Sequence, residues 1–136
     1  MRLRTIIGCI LVLAAAYFLY DSLSQPNVKT LAGNFRETAS YRNPNNTGPI
    51  RRIYTVTVED TLWKEMQQYG EMMPYTKYGV TTVYFFRDDM PAPDSLSPAP
   101  PYFDRRFREQ CLGVYEKDAM SSVTFIRYPF SEGNTL

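Results

Sequence analysis

Hydrophobic and polar positions change their pattern three times along the chain. An uninterrupted apolar run near the N-terminus gives way to a polar stretch, then to a segment that mixes alternating and helical spacing, and finally to a short polar end. These changes divide the chain into a membrane anchor or signal peptide (1–22), a polar tether (23–49), a folded domain (50–130) and a flexible tail (131–136).

The N-terminal run has the features of a membrane-targeting segment. Arg2 and Arg4 precede fifteen apolar residues, Ile6 to Tyr20. A spanning helix uses about 20 apolar residues, whereas the apolar part of a cleaved signal peptide has about 7 to 15. Two interpretations therefore stay open. The first is an anchor through residues 6–20, with a cytoplasmic N-terminus and an extracytoplasmic domain. The second is a secreted or periplasmic protein released by signal cleavage.

The tether is polar and rich in Asn, Pro and Gly, with a short helical turn expected near Thr30 to Thr38.

The folded segment then begins with a strand and a helix. Residues 50–59 alternate, so that Tyr54, Val56 and Val58 share one side. Glu59, Asp60 and Thr61 offer an N-cap for a helix from Thr61 to Met73. Its apolar stripe follows helical spacing: Leu62, Met66, Tyr69 and Met73.

The stretch from Val80 to Arg87 has the highest density of β-branched and aromatic residues outside the N-terminal run. Large apolar side chains fall on both of its alternating faces. A strand of this kind is typical of the centre of a sheet that is covered on both sides.

Downstream of this strand the chain changes character twice. Met90 to Tyr102 holds five of the ten prolines and predicts a long loop. Tyr102 to Gln110 predicts a short helix with Phe103 and Phe107 inward. Two further strands, Cys111 to Lys117 and Val123 to Tyr128, predict an antiparallel hairpin.

The order of these elements predicts an α+β fold. A strand–helix–strand unit favours a parallel crossover, and the closing hairpin favours antiparallel pairing. We expect a two-layer domain in which one main helix packs on a four-stranded mixed sheet, preceded by the N-terminal transmembrane or signal helix.

Composition and charge narrow the function classes. After Tyr20 the chain carries 13 basic and 14 acidic residues, a net charge of −1, which argues against a nucleic-acid partner. The sequence contains no histidine, the commonest general base and metal ligand. Its two cysteines, Cys9 and Cys111, lie in separate segments and suit neither a disulfide nor a zinc site. No catalytic residue, metal or cofactor is predicted.

Two groups of side chains remain as candidate sites. Tyr75, Tyr78 and Tyr102 fall in predicted turns or loops, where a rigid amphipathic ring is suited to partner contacts. Arg105, Arg106 and Arg108 are candidates for binding an anion, and Arg51 and Arg52 could be added to this group.

We therefore expect a membrane-tethered extracytoplasmic domain that acts as a non-enzymatic interaction or accessory module for a protein partner in the cell envelope. One alternative is a histidine-free hydrolase that uses Asp, Arg and Tyr, with Asp88 and Asp89 among its carboxylates. The other is a lipid or small-ligand binding domain with an aromatic pocket under the Pro-rich loop.

Overall fold

A computed structural model describes residues 2–25 and 27–131 of the chain. Within this part the helices and strands run, in order, α1 (Arg2–Ser24), β1 (Arg36–Arg42), β2 (Arg51–Val58), α2 (Trp63–Met72), β3 (Val80–Arg87), β4 (Cys111–Lys117) and β5 (Val123–Arg127). Short 3₁₀ helices cover Val28–Thr30 and Arg105–Gln110. Apart from Ser131, the expected flexible tail lies outside the described residues.

The described strands form one mixed sheet in the order β1-β2-β3-β4-β5. The parallel pair β2–β3 is joined through α2, and the other three pairs are antiparallel. The α+β class, the crossover and the closing hairpin are confirmed. The expected number of four strands is wrong, because β1 pairs along the outer edge of β2.

The fifth strand lies inside the segment that the sequence assigned to a tether. Arg36–Arg42 pairs with β2, and the expected helical turn near Thr30 to Thr38 is replaced by the 3₁₀ helix Val28–Thr30 and the start of β1. Val28, Leu31 and Phe35 pack against the core under α2. Only residues 25–27 separate the end of α1 from this packed segment.

Alternation along the central strand places one hydrophobic cluster on each face of the sheet. On the first face, Val83 and Phe85 of β3 contact Met66 and Tyr69 of α2. This confirms the apolar stripe of the predicted helix. The helix itself begins at Trp63, and its N-cap, Leu62, makes no side-chain capping bond, so the expected cap at residues 59–61 is wrong.

The second face is covered by the loop that follows β3. Tyr84 and Phe86 pack against Phe103 and Phe107, which are buried as the sequence predicted. Ring centroids of Tyr84 and Phe103 lie 5.0 Å apart, in an edge-to-face arrangement. The expected two layers are therefore supplemented by an irregular third layer, the Pro-rich loop and its 3₁₀ helix.

Helix α1 differs from the rest of the chain because none of its residues is buried. Its 23 residues are long and apolar enough to cross a membrane or to serve as a signal sequence.

Candidate functional site

One end of the sheet gathers four loops that are distant in sequence. Strands β2 and β3 begin at this end, and β1 and β4 finish there. The connecting loops 43–50, 73–79 and 118–122 meet beside residues 98–102 of the Pro-rich loop. We call this region the tyrosine end, because all three candidate tyrosines lie in it.

Tyr75 joins two of these loops. Its hydroxyl donates a hydrogen bond to the main-chain oxygen of Asp118 at 2.7 Å, and the Ser121 hydroxyl lies 3.2 Å from it. The ammonium group of Lys117 sits 4.6 Å from the centre of the Tyr75 ring. The side chain is half-buried, so Tyr75 holds the β4–β5 hairpin against the loop before β3.

Tyr78 is the most exposed of the three, with 63% of its surface accessible. Its φ is +65°, a left-handed conformation that is uncommon for a residue with a side chain. Lys77 lies 5.2 Å from its ring centre. Because a large apolar ring is held outward on a strained turn, Tyr78 is the best placed of the three to contact a partner.

Tyr102 lies at the boundary between the second hydrophobic cluster and the surface. Its hydroxyl accepts a hydrogen bond from the Arg51 guanidinium, which also lies 5.8 Å from the ring centre. This pair ties the end of the Pro-rich loop to the start of β2.

A cleft of about 400 Å³ opens at the tyrosine end beside Tyr78 and Arg51. It is lined by residues from four segments, and its remaining walls come from Tyr41, Asn43, Thr47, Pro49, Ile50, Val80, Pro98 and Ala119. The cleft combines aromatic, amide and guanidinium groups, which suits an amphipathic side chain of a partner.

The three arginines of the 3₁₀ helix do not form one anion site. Arg106 pairs with Asp104 at 3.6 Å and lies over the Phe107 ring, while Arg108 lies over Phe130. Arg105 and Arg106 are exposed, and Arg108 is half-buried. Their separate partners make them packing and surface residues more than a shared phosphate cradle.

The candidate carboxylates of the hydrolase alternative are also separated by their partners. Asp89 forms a two-point hydrogen bond with Arg87, at 2.8 and 3.0 Å. The Asp104 carboxylate accepts from the Arg106 main-chain N–H at 3.0 Å. Across residues 2–25 and 27–131, no three His, Cys, Asp or Glu side chains are grouped closely enough to hold a metal ion.

Cys111 is buried under the Pro-rich loop. Burial raises the pKa of its thiol to about 12, although hydrogen bonding to the main chain acts in the opposite direction. A nucleophilic cysteine requires a thiolate, so Cys111 behaves as a small core side chain.

The space beneath the Pro-rich loop is filled by aromatic rings. Phe103 contacts Tyr84, Phe86 and Phe130, with ring centroids 5.0 to 5.8 Å apart. A cleft of about 320 Å³ opens at the surface of this loop, and its walls include the polar side chains of Ser95, Ser97, Asp104 and Arg105.

A third opening, a groove of about 750 Å³, was not predicted from the sequence. It is bordered by Leu31, the outer side of α2 and the edge strand β5. Trp63 lies in its wall beneath the guanidinium of Arg127, 5.0 Å from the ring centre. The helical spacing of Trp63 next to the apolar stripe was its only signal in the sequence.

The sequence analysis named Arg52 only as a possible addition to an anion site formed by the arginines of residues 105–108. In the fold, its guanidinium instead donates to the Thr76 hydroxyl at 2.7 Å in the loop before β3. Arg42 and Lys117 were not predicted as site residues, because their approach to Arg52 depends on strand register.

Comparison with models of known protein families, with curated proteins and with solved structures finds no match to this chain.

Proposed function

We propose that this protein is a membrane-tethered extracytoplasmic domain and acts as a non-enzymatic interaction module of the cell envelope. Its partner is a protein, and the contact surface is the tyrosine end. The observation that carries the proposal is the meeting of Tyr75, Tyr78 and Tyr102 around one end of the sheet, with Tyr78 turned outward beside a cleft.

The exposed apolar helix α1 supports the placement in a membrane. It has no buried residue, and exposed leucine, isoleucine and phenylalanine side chains along a 23-residue helix would be costly in water. Arg2 and Arg4 at its start favour a cytoplasmic N-terminus.

The short connection supports a surface that is directed away from the bilayer. Only residues 25–27 lie between α1 and the packed 3₁₀ helix, and β1 then runs from Arg36 to Arg42 towards the tyrosine end. The entry of the chain into the domain and the tyrosine end are therefore separated by the length of β1, about 23 Å for seven residues.

The hydrolase alternative receives less support from the geometry. An Asp/Arg site would need a carboxylate and a guanidinium that converge on one cleft. Instead Asp89 pairs with its neighbour Arg87, and Arg106 pairs with Asp104 in its own turn. We therefore favour binding over catalysis.

Site-specific photo-crosslinking tests the surface in native membranes. With p-benzoylphenylalanine at position 78 or 102, we expect a discrete cross-linked protein on illumination, because both side chains border the proposed contact. Position 128 is the matched control, since it is also an exposed tyrosine but lies beside Trp63 at the opposite end of the sheet.

Loss of the cross-linked species in Tyr78→Ala, assayed with the probe at position 102, would support the tyrosine end. Equal cross-linking from positions 78 and 128, or none from 78 and 102, would contradict it.

A further inference from the structure

Three cations stand in one row across the sheet. Register pairs Arg42 of β1 with Arg52 of β2, Arg52 with Thr81 of β3, and Thr81 with Lys117 of β4. Side chains at paired positions of neighbouring strands project from the same face. The row therefore lies on the α2 face of the sheet, where Thr81 donates to the Pro74 main-chain oxygen at 2.8 Å.

We call Arg42, Arg52 and Lys117 the cationic row. Within the described part of the chain, no carboxylate oxygen lies within 4.0 Å of the charged nitrogens of these residues. Two acids next to Lys117 in the sequence, Glu116 and Asp118, are engaged elsewhere. Glu116 accepts from Thr82 on the opposite face, and the Asp118 carboxylate accepts the main-chain N–H groups of the hairpin turn at 2.9 and 3.0 Å.

The row opposes the stability of the sheet. Arg42 and Arg52 are directly opposite each other on adjacent antiparallel strands, and like charges in that position repel. Among the described residues, the side chains of Arg42 and Arg52 donate hydrogen bonds to neutral groups: Asn45 at 3.4 Å for Arg42 and Thr76 at 2.7 Å for Arg52. A bound anion would relieve this repulsion and fill the vacant donor positions.

The row is accessible at the tyrosine end. Arg42 is exposed, and Arg52 and Lys117 are half-buried beneath residues 75 and 76. From β1 to β4 the row spans three strand spacings, about 14 Å. Same-side residues of an extended peptide repeat about every 7 Å, so three acidic side chains at alternate positions cover this length.

We propose that the cationic row binds an extended acidic segment of the protein partner, with Asp or Glu at alternate positions. This inference rests on the function proposed above and assigns the chemistry of its partner. Tyr75 and Thr76 border the row and provide neutral contacts around the charges.

The position of the row favours a protein segment over the lipid surface. Arg42 ends β1, whereas the membrane helix precedes its start, and Val28, Leu31 and Phe35 fix that connecting segment to the core. An anionic lipid site would instead be expected near the entry of the chain into the domain. Nucleic acid is also disfavoured as the partner, because three cations form a small positive patch and the chain after Tyr20 has a net charge of −1.

Binding of a synthetic peptide tests the assignment on the full chain in detergent micelles. The probe is an acetylated eight-residue peptide of alternating Glu and Ser, and its control alternates Gln and Ser. We expect the Glu peptide to bind and the Gln peptide not to bind. The affinity for the Glu peptide should fall as the salt concentration rises from 50 to 500 mM. The triple variant Arg42→Ser/Arg52→Ser/Lys117→Ser should bind about tenfold more weakly.

A matched triple variant, Arg36→Ser/Arg105→Ser/Arg106→Ser, removes the same charge elsewhere and should bind as the native protein does. The single variant Arg42→Glu controls for misfolding, because its carboxylate lies opposite Arg52 and replaces a repulsive pair with an attractive one. We expect it to keep or raise the thermal midpoint while it also weakens peptide binding about tenfold.

Three outcomes would overturn the proposal: no binding of the Glu peptide, an equal loss in the matched triple variant, or binding of the full chain through the row to phosphatidylglycerol in mixed micelles while the peptide does not bind. Failure of the acidic-segment proposal can be distinguished from failure of the proposed function. If the row variants keep the cross-link from position 102 and Tyr78→Ala loses it, the tyrosine end binds a partner of different chemistry.

Discussion

At the scale of single residues, Gly70 shows how packing reverses an expectation from helix propensity. Glycine near the end of a helix appears only as a weak point in the sequence. In the fold, α2 approaches β4 so closely that a Cβ at position 70 would lie 2.3 Å from Cγ of the buried Tyr115. The absent side chain is therefore what allows the helix to lie on the sheet.

We expect Gly70→Ala to destabilise the domain by about 2 kcal/mol, since overpacking exceeds the gain of about 1 kcal/mol from helix propensity. The thermal midpoint of the full chain in detergent, followed by near-UV circular dichroism, should fall by roughly 10 °C. Gln68→Ala, exposed on the same helix, should change it little. A midpoint that rises in Gly70→Ala would show that the helix can move away from Tyr115 without cost.

At the scale of elements, β1 turns a segment of tether-like composition into part of the domain. Arg36–Arg42 contains few apolar residues, so no alternation marks it as a strand. It is stabilised by pairing with β2 and by the loop after β3. The Thr38 hydroxyl donates to the Pro93 main-chain oxygen at 2.7 Å, which fastens that loop over the start of β1.

Removal of β1 should abolish folding. A chain of residues 25–136 is expected to be soluble and cooperatively folded. A chain of residues 50–136 exposes the edge of β2 and loses the cover of Val28, Leu31 and Phe35, so we expect aggregation. Near-UV circular dichroism and gel filtration compare the two. If the shorter chain folds equally well, β1 is not required for folding, and residues 23–49 act as a tether as the sequence predicted.

At the scale of the whole molecule, the contrast between α1 and the domain supports the proposed placement in a membrane. The domain buries its large apolar side chains in two clusters, whereas α1 leaves its own exposed. A bilayer would remove these side chains from water, and the three residues after α1 would keep the domain close to its surface.

We expect the full chain to stay in the membrane pellet after carbonate extraction, because α1 remains as an anchor. Leu13→Arg, near the middle of the helix, should release a substantial part of it, since a central arginine costs about 2.5–3.5 kcal/mol. Ser22→Arg is the control, because its side chain can reach the interface. Intact mass separates the two interpretations: a complete 136-residue chain indicates an anchor, and a shorter one indicates signal cleavage.

Local patterns were sufficient where a segment carries its own signal. The apolar stripe through Met66 and Tyr69 predicts α2, and the density of β-branched and aromatic residues predicts β3 as a strand buried on both faces. Phe103 and Phe107 were predicted to face inward, and both are buried. These features depend on the period of hydrophobic positions, which the sequence states directly.

The candidate site depends on proximity, which local patterns do not contain. The turns that carry Tyr75, Tyr78 and Tyr102 were predictable, but their meeting requires the parallel pairing of β2 with β3 and the return of the Pro-rich loop. The sequence associated Arg52 with the arginines of residues 105–108, but its guanidinium donates to Thr76 in the loop before β3. Strand register instead aligned it with Arg42 and Lys117.

The sequence by itself determined the apolar N-terminal helix, the α+β class and the core positions of α2 and β3. Each of these follows from how apolar groups are spaced along the chain and leave water together. Only the tertiary structure decided the fifth strand, the tyrosine end and the cationic row. These arise from hydrogen-bonded pairing between distant segments, and the register of that pairing selects which side chains become neighbours.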